Sequence, residues 1–112
     1  MINCTFENGG KGSLRHVTVK ALVVNNKNEV LLVRRAPNIF RGNTYDIPGG
    51  FLDRDETTED CALRELREET GITGKVEFLF RINDSPNRPK EDRQNVDFIY
   101  IVKPLGGILS VD

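Results

Sequence analysis

Three glutamates, Glu65, Glu68 and Glu69, stand three and four residues apart near the end of the run Thr57 to Glu69. On an α-helix turning about 100° per residue, those offsets place all three carboxylates within an arc of about 100°. Like charges gathered on one stripe are relieved by a hard divalent cation, and Mg²⁺ takes oxygen ligands from a few carboxylates, water and substrate phosphates. Their place in the C-terminal half of the helix sets them against the negative end of the macrodipole, at a cost of roughly 0.3–1 kcal/mol each. Helix stability alone does not put them there. The charge pattern by itself leaves a second reading open, a solvated face on which Arg64 and Arg67 neutralise neighbouring acids through weak surface pairs.

The elements that must position these side chains are legible around them. Thr57 is the expected N-cap, with Asp60 as its capping-box partner and Gly71 as the stop. Leu63, Leu66 and Thr70, with Ala62 beside them, form a separate stripe, so one face of the helix enters a core while the other presents acids. Upstream, Val17 to Val24 is apolar and β-branched, Asn25 to Asn28 is a turn, and Val30 to Val33 is apolar again, which predicts a hairpin. A polar loop, Arg34 to Asn43, leads to Tyr45 to Leu52, where Pro48-Gly49-Gly50 predicts a sharp backbone turn. Lys75 to Ile82 and Val96 to Val102 are expected strands. Between them, Asn83 to Asn95 carries two prolines and many charges in a loop long enough to be functional.

Wider spacing decides between the two readings of the acidic stripe. Gly50 is followed after five residues by Glu56, and after seven more by Arg64-Glu65-Leu66-Arg67-Glu68-Glu69-Thr70-Gly71-Ile72. This matches every fixed position of the Nudix box, and a chance match over nine specified or class-restricted positions is remote. The chain resembles the Nudix hydrolases from its first hairpin to the strand at Val96 to Val102, with the box at residues 50–72 of a single domain, 1–112. The resemblance implies an α/β fold, a mixed sheet with the box helix on one face, and the chain is expected to depart from it in a shortened C-terminal part of the α/β/α sandwich.

The same resemblance implies roles. Glu65, Glu68 and Glu69 would hold Mg²⁺, with Mn²⁺ as a substitute, and the backbone carbonyl of Gly50 would be a further ligand, reached closely because glycine has no side chain. Glu56 and Arg64 would form a charge-assisted pair orienting the metal ligands. These parts suit attack of water on a phosphorus of a diphosphate, with the cation lowering the pKa of a bound water. A carboxylate then accepts the proton; Glu68 is the first candidate, with Glu65 or Glu69 as alternatives.

Specificity is expected in the loop Asp84 to Arg93. Pro86 stands 15 residues after Gly71, similar to the ADP-ribose pyrophosphatases of the family. Arg88 and Arg93 are candidates to grip phosphate, as are Arg34 and Arg35, although each taken singly also reads as a solvated charge. Glu91, Asp92 and Asp97 are further acids of unassigned direction. His16 is not assigned to catalysis, Cys61 is expected to be buried, and Tyr45 and Phe40 read equally as base-stacking or core residues.

Composition narrows the function class. Sixteen Lys and Arg against 17 Asp and Glu in 112 residues give no long-range attraction to nucleic acid or an anionic membrane. Cys4 and Cys61 lack ligand or framework spacing and are read as reduced thiols. The polar, Gly-rich stretch Met1 to Gly12 is neither secretion signal nor anchor, so a cytoplasmic location is expected. The sequence therefore points to Mg²⁺-dependent hydrolysis of a nucleoside diphosphate linked to another moiety, ADP-ribose or another nucleotide sugar. The alternatives are hydrolysis of oxidised nucleoside triphosphates and, from another class, a regulatory module that binds nucleotide without turnover. A sheet face left bare by the short C-terminus would be covered by homodimerisation or exchange of segments, or else belongs to a shortened version that folds poorly.

Overall fold

The computed structural model describes residues 2–34, 44–88 and 94–107. Nine elements follow in chain order: β1 (Ile2–Thr5), β2 (Lys11–Leu14), β3 (Val17–Val23), β4 (Val33–Arg34), β5 (Tyr45–Asp46), β6 (Gly49–Phe51), α1 (Thr58–Thr70), β7 (Ile72–Asn83) and β8 (Val96–Gly107). A four-stranded sheet in the order β6-β3-β8-β7 carries the site. It is mixed: β3 runs parallel to β8 with Val17 opposite Val96, while β6 on β3 and β7 on β8 are antiparallel.

Strand periodicity explains where the core lies. Alternate residues of β3, namely Val19, Ala21 and Val23, share a face with Tyr100 and Val102 of β8, and all are buried. Against that face α1 lays Cys61, Ala62 and Leu66, each fully buried. Ala62, Leu66 and Thr70 recur every four residues, so most of the stripe read from the sequence is the packed one, with Cys61 joining it and Leu63 only partly buried. Thr70 completes it: buried, its hydroxyl donates to the Leu66 carbonyl at 2.7 Å and accepts from the Ile72 N–H at 3.2 Å, so no polar group is stranded.

The ends of α1 are set by local chemistry. Thr57 has an extended backbone and its hydroxyl accepts from the Asp60 N–H at 3.1 Å. Gly71 closes the helix in the left-handed conformation at φ 79°, its N–H donating to the Arg67 carbonyl. The left-handed turn sends the chain directly into β7.

Two expectations are corrected. The hairpin between Val17–Val24 and Val30–Val33 is reduced to one bridge, Val24 to Val30, with a further bond from the Leu31 N–H to the Val23 carbonyl. The flanks of β3 are already taken by β6 and β8, so β4 pairs with β5 instead. Gly49 and Gly50 form no turn; they lie within β6, opposite Lys20 and Val19, without positive φ. The polar N-terminus, to which the sequence assigns no element, forms the hairpin β1-β2, with Ile2 opposite Leu14. The strands at Lys75–Ile82 and Val96–Val102 are present and extended at their ends. Among the described residues no helix is long and apolar enough to cross a membrane.

Replacing Gly71 by alanine forces a Cβ into left-handed backbone and should destabilise the domain by about 1 kcal/mol. A lowered urea midpoint at unchanged slope is the expected reading.

Candidate active site

The second glycine of β6 faces α1 across a gap too narrow for a side chain. A Cβ on Gly50 would lie 2.5 Å from the carboxyl carbon of Glu65, and one on Gly49 would collide with the Val19 carbonyl. Glycine is required here for close approach of backbone to carboxylate, not for turning. The Gly49 N–H donates to Glu69 Oε2 at 3.2 Å, so β6 is joined to both ends of the acidic ridge.

Arg64 organises the rest. Its Nε donates to Glu56 Oε2 and its Nη2 to Glu56 Oε1, both at 2.8 Å, a two-pronged bond that fixes the plane of the guanidinium. Nη1 donates to Glu65 Oε1 at 3.0 Å and to Glu68 Oε2 at 3.2 Å. Nη2 also reaches the Phe51 carbonyl at 3.3 Å and pairs with Asp53 at 3.3 Å. One side chain thus binds the end of β6, the loop before α1 and the ridge on α1. Glu56 accepts a further bond from the Asp53 N–H at 3.0 Å.

Titration follows this geometry. The Arg64 hydrogen bonds, helped by the Asp53 N–H, hold the Glu56 carboxyl down at about 2, against an opposing effect of desolvation. Glu56 in turn pushes the Arg64 guanidinium up from its already high value. Cys61 lies beneath the pair, its thiol 3.7 Å from Arg64 Nη2, and burial followed by the hydrogen bond to Glu56 pushes it up to about 12. A thiol in that state is packing material and not a nucleophile, as its helix position predicted.

The expected site residues fall into two groups. Gly50, Glu56, Arg64, Glu65 and Glu68 meet in one cluster, with Glu69 joined to it through Gly49. Glu65 is largely covered, with 15% of its side chain exposed, whereas Glu68 is 58% exposed. Arg34 lies exposed on β4, Pro86 is exposed in the loop after β7, and Tyr45 is exposed on β5. Arg35, Phe40, Glu91, Asp92 and Arg93 lie outside the described residues. Arg88 pairs with Asp97, which also receives the Thr18 hydroxyl, and Arg88 donates to the Asn95 carbonyl as well. His16 stacks on Phe51 with ring centroids 4.0 Å apart.

Sequence reasoning missed the Asp53 pair, the Gly49 to Glu69 bond, and Arg15, which donates to the carbonyls of both Asp84 and Gln94 and so ties the two ends of the loop together. The spacing of Asp53 three residues before Glu56 is a usable signal for the first. Nothing in the spacing of Arg15 announces a contact nearly eighty residues away.

Whether the cluster suits a divalent cation can be asked of the donors themselves. Among the described residues no three His, Cys, Asp or Glu side chains stand ready-gathered as ligands. The chemistry nonetheless fits: Glu65 and Glu68 converge on a single N–H₂ group of a guanidinium already committed to Glu56, so two negative charges remain uncompensated. All donors are hard oxygens, and the missing Cβ of Gly50 lets the Glu65 carboxylate lie close against the β6 backbone.

Residues 14–112 match the family model of the NUDIX domain, and the chain belongs to that family. It is similar to the ADP-ribose pyrophosphatase of Methanocaldococcus jannaschii, 34% identical over 88 residues that cover 79% of this chain and 51% of that protein. It is also similar to the 8-oxo-dGTP diphosphatase of Escherichia coli, 39% identical over 59 residues, covering 53% of this chain and 46% of that one. A crystal structure of a UDP-X diphosphatase superposes with a TM-score of 0.77 at 25% identity, over 95% of this chain and 50% of that chain. The chain spans about half the length of the relatives it matches.

The depressed Glu56 carboxyl links the site to stability. Because its folded value lies below the ordinary 4.5, its contribution is fully present above that pH and is lost as the pH falls through about 2. Urea unfolding at a series of pH values should show stability falling across this window, and Glu56→Gln should flatten that part of the profile.

Proposed function

We propose that the chain hydrolyses a diphosphate bond in a nucleoside diphosphate linked to a second moiety, using a divalent cation, Mg²⁺ with Mn²⁺ as substitute. The observation that carries this reading is the convergence of Glu65 and Glu68 on Arg64 Nη1 beside the bare backbone of Gly50. Glu65, Glu68, Glu69 and the Gly50 carbonyl are the ligands assigned to the cation. When bound, the cation supplies charge compensation for the diphosphate and acidifies a coordinated water.

The protein's own groups divide the remaining work. Glu56, ionised through the whole working range, holds Arg64, and Arg64 holds Glu65 and Glu68 at fixed orientation. Glu68 is assigned as proton acceptor: it is the most exposed of this group and, among the described residues, is tied by the one bond from Arg64, which leaves its second oxygen for a water. Gly49 holds Glu69. The exposed loop at Pro86, anchored by Arg15 and by the Arg88 to Asp97 pair, is assigned to substrate choice.

ADP-ribose or another nucleotide sugar is the favoured substrate class, supported by the position of Pro86 and by the similarity to a protein named ADP-ribose pyrophosphatase. Hydrolysis of oxidised nucleoside triphosphates is the second reading, supported by the similarity to a protein named 8-oxo-dGTP diphosphatase. Incubation with Mg²⁺ and a panel of nucleotide sugars, dinucleotides and triphosphates separates them. AMP and ribose phosphate from ADP-ribose support the first, pyrophosphate from a triphosphate supports the second, and binding without turnover favours a regulatory module. Glu69→Gln should lower turnover by about a hundredfold or more at unchanged circular dichroism; retained turnover removes Glu69 from the ligand set.

A further inference from the structure

At the opposite end of the sheet from β6, strand β7 has one side paired to β8 and the other side without a strand partner among the described residues. Its centre reads Lys75-Val76-Glu77-Phe78-Leu79-Phe80-Arg81-Ile82-Asn83. From Glu77 to Ile82 every residue is exposed, including Phe78 at 55%, Leu79 at 42%, Phe80 at 56% and Ile82 at 45%. An edge of this kind is usually blunted by proline, by charged side chains, by bulges or by brevity. β7 has 12 residues and no proline.

Its two central charges have opposite signs and stand at equal distance from Leu79. In an antiparallel pair of identical strands related by a two-fold axis through Leu79, Glu77 of one copy faces Arg81 of the other, twice. Phe78 then faces Phe80, and Val76 faces Ile82. Cross-strand opposite charges and aromatic pairs are the arrangements that stabilise antiparallel sheets. Neither Glu77 nor Arg81 has an ion-pair partner among the described residues. Shifting the register by two residues sets Arg81 against Leu79 in one direction and against Lys75, a like charge, in the other, and loses both pairs either way, so the charges also select the register.

β-Bulges lie between Val76 and Phe78 and between Leu79 and Arg81. Bulges steepen the twist of a strand, which works against pairing with a flat foreign edge. A strand carrying the same two bulges has the same twist. Phe78, paired with Ile101 on the face away from Tyr100 and Val102, lines one surface with Phe80 and Ile101, so the new contact adjoins the sheet face opposite α1.

We propose that β7 is a homodimer interface in which two copies of this chain join their sheets antiparallel about Leu79, with reciprocal Glu77 to Arg81 pairs. The occupant is a second copy because the charge pattern complements itself.

Sedimentation equilibrium of the full chain tests this with charge reversals. The wild type is expected to dimerise, and Glu77→Arg or Arg81→Glu alone, each placing like charges opposite each other twice, should weaken the dimer about tenfold or more. The double variant E77R/R81E restores opposite charges and should return to within about threefold of wild type. Because it carries both substitutions, harm to the fold would persist in it and would be seen by circular dichroism. In a Cys4→Ser background, Leu79→Cys should form an intermolecular disulfide on mild oxidation. Lys75→Cys should not, its two copies standing roughly 27 Å apart at about 3.4 Å per residue. A wild type monomeric at all concentrations, a dimer indifferent to the single reversals, a double variant no better than the singles, or equal cross-linking at both positions overturns the proposal.

Discussion

The two-pronged bond from Arg64 to Glu56 is the constraint on which the site depends. Two bonds of 2.8 Å fix a planar guanidinium in angle as well as in place. Its remaining N–H groups then have set directions, and those directions select where the Glu65 and Glu68 carboxylates rest. A lysine at the same position would supply the charge but not the plane. Cys61, packed under the pair, seals it from the core side without competing for protons.

This polar cluster stands on an apolar platform. Leu66, Cys61 and Ala62 anchor α1 to Val19, Ala21 and Val102, while the next residues around the helix present the acids. The close contact of Gly50 with Glu65 is possible only because β6 is held in register with β3, Gly50 opposite Val19. Packing of the core therefore sets the position of the glycine backbone relative to the ridge. The cost of placing glutamates at the end of a helix is offset by Arg64 and by the Gly49 N–H.

The sequence made α1 legible to within a residue, because Thr57, Gly71 and the Leu66 stripe are local signals that agree with one another. The Glu56 to Arg64 pair and the gathering of Gly50 with Glu65 were legible through the fixed spacing of the box. Gly49 and Gly50 show the limit of that reasoning. A glycine pair after proline is a common turn signal, and only the neighbouring β3 carbonyl and the Glu65 carboxylate reveal that close approach is the need. The hairpin after β3 was misjudged for a similar reason. Apolar runs on either side of an Asn-rich turn describe local preference, whereas the partners of β3 are β6 and β8, chosen by contacts far along the chain. Arg15, bridging Asp84 and Gln94, is a long-range contact of the same kind.

The central claim is that Glu56, without touching the cation, orients the groups that hold it. Binding of Mn²⁺ followed by the loss of its free paramagnetic resonance signal tests this directly, comparing the wild type with Glu56→Gln at neutral pH and matched circular dichroism. The account predicts saturable binding by the wild type and an affinity roughly 10–100-fold weaker in the variant, the usual consequence of losing a partner that orients a ligand. Equal affinity in the two proteins, or no saturable binding by the wild type, would contradict it.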